Sequence, residues 1–180
     1  MGFLERLFGI APAGPTDPTV GWAELPVPDL TVVAHEGKVN DLKFGDPLEA
    51  AQVFGRPTKV HWIGGDYCVL TYADAGMEVH FQSGRFEYLA LMHDRHVAQP
   101  DIPFKFARAT VRLAGGVGGE LSRNSTIDVI ESHFGRADRV ERETDESIYY
   151  YHLPGVDMEF EVHPTAATLM RWNLYPKPAG

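Results

Sequence analysis

From Lys59 onward the chain alternates apolar and polar residues with the period of two that a half-buried sheet imposes on an extended strand. The alternation predicts strands over Lys59–Ile63, Tyr67–Ala73, Met77–Gln82 and Phe86–Met92, with Gly64-Gly65-Asp66, Asp74-Ala75-Gly76 and Ser83-Gly84 as turns. A second set follows over Arg139–Thr144, Ser147–Leu153, Asp157–Val162 and Thr168–Tyr175. Ahead of each set lie an extended segment, Leu30–Ala34 or Ala109–Ala114, and a turn, Glu36-Gly37-Lys38 or Gly115–Gly119. A short helix comes next. Leu48, Ala51, Val53 and Phe54 make one apolar stripe, as do Ile127, Ile130 and Phe134. Asp46, with Pro47 at the first helical position, and Ser125, before Thr126, are the predicted caps. Gly55 and Gly135 fall where a helix stops with positive φ, and Pro57 lies just past the first stop.

The two sets share spaced anchors. Thr31-Val32 matches Thr110-Val111, and Tyr72, Gly76 and Phe81 match Tyr151, Gly155 and Phe160, all 79 residues apart. Phe54-Gly55-Arg56 returns as Phe134-Gly135-Arg136 at 80. The expectation is an α+β fold of two tandem repeats of about 80 residues. Each repeat would hold an extended segment, a short helix and a four-stranded antiparallel β-meander, with the helices on one sheet face. Residues 1–20 are read as an N-terminal amphipathic segment and linker, 21–98 as the first repeat, and 99–180 as a linker, the second repeat and a tail. Leu70, Tyr72, Val79 and Phe81, and Tyr149, Tyr151, Met158 and Phe160, mark the core face. Glu78, His80 and Gln82, and Asp157, Glu159 and Glu161, mark a face left to water or to a partner.

The helix ending in Phe-Gly-Arg-Pro/Ala, followed by a meander with Tyr-x-x-x-Gly and a closing Val/Met-x-Phe strand, resembles β-lactamase inhibitor protein-like folds. The same pattern is similar to the outer-membrane assembly lipoproteins of the SmpA/BamE type. That resemblance implies a tandem repeat whose sheet face grips another protein. It assigns no functional residue, and the chain has neither a lipid-accepting cysteine nor the cysteine pairs of the inhibitor.

At the N-terminus, Phe3, Leu4, Leu7 and Phe8 fall on one side of a short helix over Met1–Ile10, and Ala11–Pro18 reads as a linker. Glu5 and Arg6 break the apolar stretch that a secretory signal needs, and Arg6 stands where a myristoylation motif has Ser or Thr. With a single cysteine, Cys68, no internal disulfide forms, so the cytoplasm is the expected compartment. No run approaches the ~18 apolar residues of a spanning helix.

Charge narrows the partners. The 16 Lys and Arg stand against 25 Asp and Glu, for a net charge of −9 over 180 residues. That balance argues against nucleic acid, whose phosphates need clustered cations. The carboxylates concentrate instead beside a tyrosine run: Glu141, Glu143, Asp157, Glu159 and Glu161 next to Tyr149, Tyr150 and Tyr151. Tyrosine brings contact area and a polar tip at low entropic cost, so Glu141, Glu143, Tyr149, Tyr150, Asp157, Glu159 and Glu161 are the expected partner-binding set. Tyr151 is assigned to the core.

Motifs for chemistry are sparse. Gly115-Gly116-Val117-Gly118-Gly119 lacks the Lys-Ser/Thr of a phosphate-binding loop. No G-x-S-x-G elbow is present, and Cys68 sits mid-strand. His61, His80, His93 and His96 are weak metal candidates, because zinc sites draw on three or four ligands and no third of fixed spacing joins His93-x-x-His96. The expectation is therefore a non-enzymatic protein-binding module of the inhibitor or immunity kind, without cofactor or metal, holding a basic protein through its acidic, Tyr-bearing sheet face. The alternative is a small-molecule or metal-dependent enzyme or sensor built on the histidines of the first repeat. A homodimer closed through the open sheet face is a further expectation.

Overall fold

The computed structural model describes residues 16–94 and 104–177. The Met1–Ile10 helix, most of the linker after it, His96 and the final three residues lie outside the described residues. The remainder is predominantly strand. In chain order these are β1 (Leu30–Val33), β2 (Lys38–Val39), β3 (Leu42–Lys43), β4 (Lys59–Trp62), β5 (Tyr67–Tyr72), β6 (Met77–Gln82) and β7 (Arg85–Met92). They continue as β8 (Ala109–Leu113), β9 (Gly116–Leu121), β10 (Arg139–Arg142), β11 (Ser147–His152), β12 (Val156–Val162) and β13 (Leu169–Pro176). A single α-helix, α1 (Ile127–Phe134), occurs among the described residues.

The strands form two sheets. One has five strands in the order β3-β2-β1-β8-β9, and the other has eight in the order β10-β11-β12-β13-β7-β6-β5-β4. The larger sheet is antiparallel throughout, including β13 against β7, where Arg171 faces Met92 and Leu174 faces Leu89. In the smaller sheet β1 and β8 run parallel, with Val32 beside Val111.

This architecture corrects the expected α+β fold of two self-contained repeats. There are not two four-stranded meanders each under its own helix, but one eight-stranded sheet and a second sheet of five. The reason is edge pairing: β7 and β13, each read as the last strand of its own unit, satisfy their outer backbone groups on one another. The predicted turn at Gly115–Gly119 is largely strand β9, and β2 and β3 occupy Lys38–Lys43. The first expected α-helix is also absent. Leu48–Phe54 is a 3-10 helix between Pro47 and Gly55, with Ala50 N donating to Pro47 O. Its last turn keeps the same i→i+3 pattern, with Gly55 N donating to Gln52 O. Neither predicted cap acts as one. Asp46 Oδ2 accepts from Lys43 N and Ser125 Oγ from Ser122 N, each closing the turn ahead of its helix.

The core lies between the sheets and is continuous. Val32, Val39, Leu42, Val111 and Leu121 of the small sheet join Leu70, Tyr72, Val79, Phe81, Leu89 and Leu91 from one half of the large sheet. Tyr151, Met158, Phe160, Trp172 and Leu174 complete it from the other half. Phe134 of α1 meets Phe160 at 5.4 Å, and Phe160 stacks on Trp172 at 5.4 Å. Each such side chain contributes about 1.5–3 kcal/mol by leaving water.

Gly76 fixes where the chain re-enters the fold. It lies at φ 61°, and an added Cβ there would sit 2.4 Å from Lys105 O and 2.6 Å from Ala107 N. Those residues are held in place by Lys105 N to Ala73 O and Ala107 N to Met92 O, both 2.8 Å. Gly76→Ala therefore meets backbone on both sides. Urea denaturation is expected to show a loss of about 2–4 kcal/mol. Gly84→Ala, at φ 72° with open space around it, is expected to lose only about 1–2 kcal/mol. Equal losses would mean that the close approach is not a constraint.

His93 follows β7 and is 1% exposed. Burial pushes its pKa down from 6.5 to about 4. The unfolded chain takes up this proton below about pH 6.5, whereas the folded chain resists it until about pH 4. Stability is accordingly lost as pH falls through that window, by about 3 kcal/mol in total. His93→Leu is expected to flatten this part of the pH–stability curve measured by urea denaturation. An unchanged slope would exclude His93 as its source.

Candidate interaction face

Ladder register decides which side chains share the outer face of the eight-stranded sheet, the one turned away from the core. Three rows cross the strands there. The first runs His152, Asp157 and Tyr175, then Tyr88, His80, Val69 and His61. The second runs Arg139, Tyr150, Glu159, Asn173, Ala90, Glu78 and Thr71. The third holds Glu141, Ile148, Glu161, Arg171 and Met92. Polar and aromatic residues dominate all three.

Of the seven predicted partner-binding residues, Glu141, Tyr150, Asp157, Glu159 and Glu161 share this face. Tyr149 does not. It lies opposite Phe160 and packs against the core, as a neighbour of Tyr150 in a strand must. Glu143 lies beyond the end of β10, exposed. Glu161 is on the face but only 4% exposed.

The carboxylates are compensated locally. Glu161 Oε1 accepts from Arg171 Nε at 2.8 Å, Arg171 Nη2 at 2.6 Å and Asn173 Nδ2 at 2.8 Å. Its Oε2 has no hydrogen-bond partner. Tyr88 donates to Asn173 Oδ1 at 2.7 Å and Tyr175 to Glu159 Oε2 at 3.0 Å, while the two rings stack at 4.8 Å. Toward the edge, Arg139 pairs with Glu141 at 2.8 Å and lies over the Tyr150 ring at 3.9 Å. The Tyr150 hydroxyl donates to Glu141 Oε2 at 2.7 Å. That bond, with burial and the Glu141 charge adding to it, pushes the phenol pKa up to about 12. His152 and Asp157 meet at 3.0 Å.

The histidines separate. His61 is exposed on β4 and His80 is buried two strands away on β6. His80 Nδ1 shares a 3.0 Å hydrogen bond with the Tyr67 hydroxyl, its ring packs on Tyr88 at 4.4 Å, and Nε2 lies 3.6 Å from Glu78 Oε2. His93 is in the interior beyond β7. Among the described residues no group of three or more His, Cys, Asp or Glu side chains is arranged to hold a metal. Cys68 is buried, and burial raises its thiol pKa to about 11.

Arg139, Arg171, Asn173, Tyr88 and Tyr175 complete this face and are absent from the predicted set. The signal for Arg139, Arg171 and Tyr175 was their parity within strands already located. Tyr88 and Asn173 come together only through the β7–β13 pairing, which joins distant segments.

No protein-family model and no curated protein matches the chain. Among solved structures it is similar to a DUF4309 family protein from Bacillus subtilis, at 14% identity and TM-score 0.48, over 80% of this chain and 90% of that one. It is also similar to an extracellular protein containing a SCP domain from Bacillus anthracis, at 8% identity and TM-score 0.48, over 74% of this chain and 44% of that one. A cysteine-rich secretory protein from Staphylococcus aureus matches at 10% identity and TM-score 0.46, over 83% of this chain and 52% of that one. The chain thus spans about half the length of the latter two. Likeness at this level assigns neither family nor activity.

The Glu161–Arg171 pair supplies a direct test of the face's internal compensation. Arg171→Met leaves a buried carboxylate with one donor, Asn173. Because the Arg171 side chain keeps 32% exposure, the expected loss is about 2–3 kcal/mol, below that of a fully buried pair. Adding Glu161→Gln removes the stranded charge and is expected to restore at least about half of the loss in urea denaturation. Strictly additive losses would show that the two side chains act independently.

Proposed function

We propose that the chain is a protein-binding module without chemistry of its own, and that the β10–β13 half of the outer face holds a basic protein ligand. The observation that carries the reading is the convergence of Glu141, Tyr150, Asp157, Glu159 and Tyr175 on one face. All five are half-buried. Each is held by a hydrogen bond to a neighbour on that face. Side chains already ordered lose little entropy on contact, and tyrosines set among carboxylates suit a surface rich in Lys and Arg. The net charge of −9 adds long-range attraction for such a partner. An inhibitor or immunity-type role fits this surface.

The residues that touch the ligand under this reading are Asp157, Glu159, Tyr150 and Tyr175. Glu161 serves from below, by fixing Arg171 and Asn173. The test is affinity capture from native cell extract with the wild type, Asp157→Lys/Glu159→Lys, and Glu49→Lys, an exposed charge reversal on the 3-10 helix. A basic protein retained by wild type and Glu49→Lys, released at high salt, and lost from the double variant is the expected result. Equal retention by all three would place the binding surface elsewhere.

A further inference from the structure

The eight-stranded sheet ends at β4 on one side and β10 on the other. A free edge exposes unpaired N–H and C=O groups, and the side chains along it decide what can add there. At β10 those side chains form a self-complementary code. Laid antiparallel against a second copy about Val140, the run Asp138-Arg139-Val140-Glu141-Arg142 sets Arg139 opposite the partner's Glu141. Asp138 then falls opposite the partner's Arg142, and Val140 opposite the partner's Val140. Every charged position meets the opposite sign, and the two-fold repeats each match.

The backbone supports the same register. Glu143 N donates inward to Glu146 O at 2.9 Å, and the β10–β11 ladder continues from that pair through Glu141↔Ile148 and Arg139↔Tyr150. Antiparallel pairing alternates, so the N–H and C=O of Val140 and Arg142 point away from β11, toward the free edge. In the two-fold arrangement the two Val140 residues exchange both hydrogen bonds. Arg139 and the partner's Glu141 become a non-hydrogen-bonded pair, the kind whose side chains approach most closely, with Cα atoms about 4.5 Å apart. Asp138 contributes through its side chain alone, because its N–H is given to Tyr150 O. The Arg139 and Glu141 side chains are 58% and 43% exposed, and Asp138 and Arg142 are exposed.

We infer that β10 is a dimerisation edge, pairing antiparallel with β10 of a second copy of this chain. The opposite edge lacks the code: pairing β4 with itself about Val60 sets Lys59 opposite the partner's His61, which does not bring opposite signs together across the two-fold. Pairing β10 with β4 would be heterologous and open-ended, whereas β10 with β10 closes. The dimer differs from one closed through the sheet face and does not use that face on either copy. It does not depend on the basic ligand. Four-residue edges bury far less than the ~1,600 Å² of a standard interface, so the dimer is weak and sensitive to salt.

Sedimentation velocity of the full chain over a concentration series tests this. The wild type is expected to dimerise at low salt, with its dissociation constant rising roughly tenfold or more by about 0.5 M salt. Arg139→Glu and Glu141→Arg each place like charges across the two-fold and are expected to sediment as monomers, with thermal unfolding showing that both remain folded. Mixed in equal amounts they regain opposite signs at every position, and a heterodimer of wild-type affinity is expected. Val140→Pro, which removes the outward N–H, is expected to be monomeric and to remain folded by thermal unfolding. A monomeric wild type at all concentrations, single variants that dimerise like the wild type, or a mixture that stays monomeric would each overturn the proposal.

Discussion

The ladder between β7 and β13 holds the rest of the structure in place. Four residue pairs, from Arg171–Met92 to Leu174–Leu89, join two segments far apart in sequence and turn what would be two free edges into the middle of one sheet. The inner side of that seam carries Leu89, Leu91, Trp172 and Leu174, all buried, and the small sheet packs over it in one core. Its outer side carries Tyr88, Ala90, Arg171, Asn173 and Tyr175. The same backbone hydrogen bonds therefore position the hydrophobic interior and the polar face.

That face is ordered before any ligand arrives. Glu161 collects three donors on one oxygen, Tyr88 and Tyr175 stack while their hydroxyls go to Asn173 and Glu159, and Arg139 closes on Tyr150 and Glu141. A net charge of −9 is thus partly cancelled where it would repel most strongly. The sheet's limits follow the same logic. Along β10 the alternation of Arg139, Glu141 and Arg142 discourages pairing with an arbitrary strand while admitting one partner of matching sequence in one register.

Much of the large sheet was legible from the period-two pattern, because its strands set apolar side chains toward the core and mostly polar or aromatic ones on the other side, even where both sides are buried. Met77–Gln82 is β6 as read, and Tyr67–Ala73 overshoots β5 by one residue. Parity within strands also placed Glu141, Tyr150, Asp157, Glu159 and Glu161 together. Tyr149 was read both as a core-face position and, by grouping consecutive tyrosines, as partner-binding; it packs against the core, since neighbours in a strand point to opposite faces. The small sheet was hidden because β2 and β3 have two residues each and β9 is rich in glycine. The α+β expectation failed at the same level: matching anchors 79 residues apart carried no information on whether the last strands would pair with each other. Burial of Glu161 was also invisible, since its partners Arg171 and Asn173 lie on the next strand.

Native-state hydrogen exchange across β7 and β13 tests the single-sheet account most directly. If the two halves form one cooperative unit, the amides of Leu89, Leu91, Trp172 and Leu174, which the alternation of the ladder turns across the β7–β13 seam, exchange with the free energy of global unfolding. Slow amides in β5–β6 and in β11–β12 then share that same value. Two distinct plateaus, with β11–β13 opening while β4–β7 stays protected or the reverse, would contradict it and show that each half folds without the other.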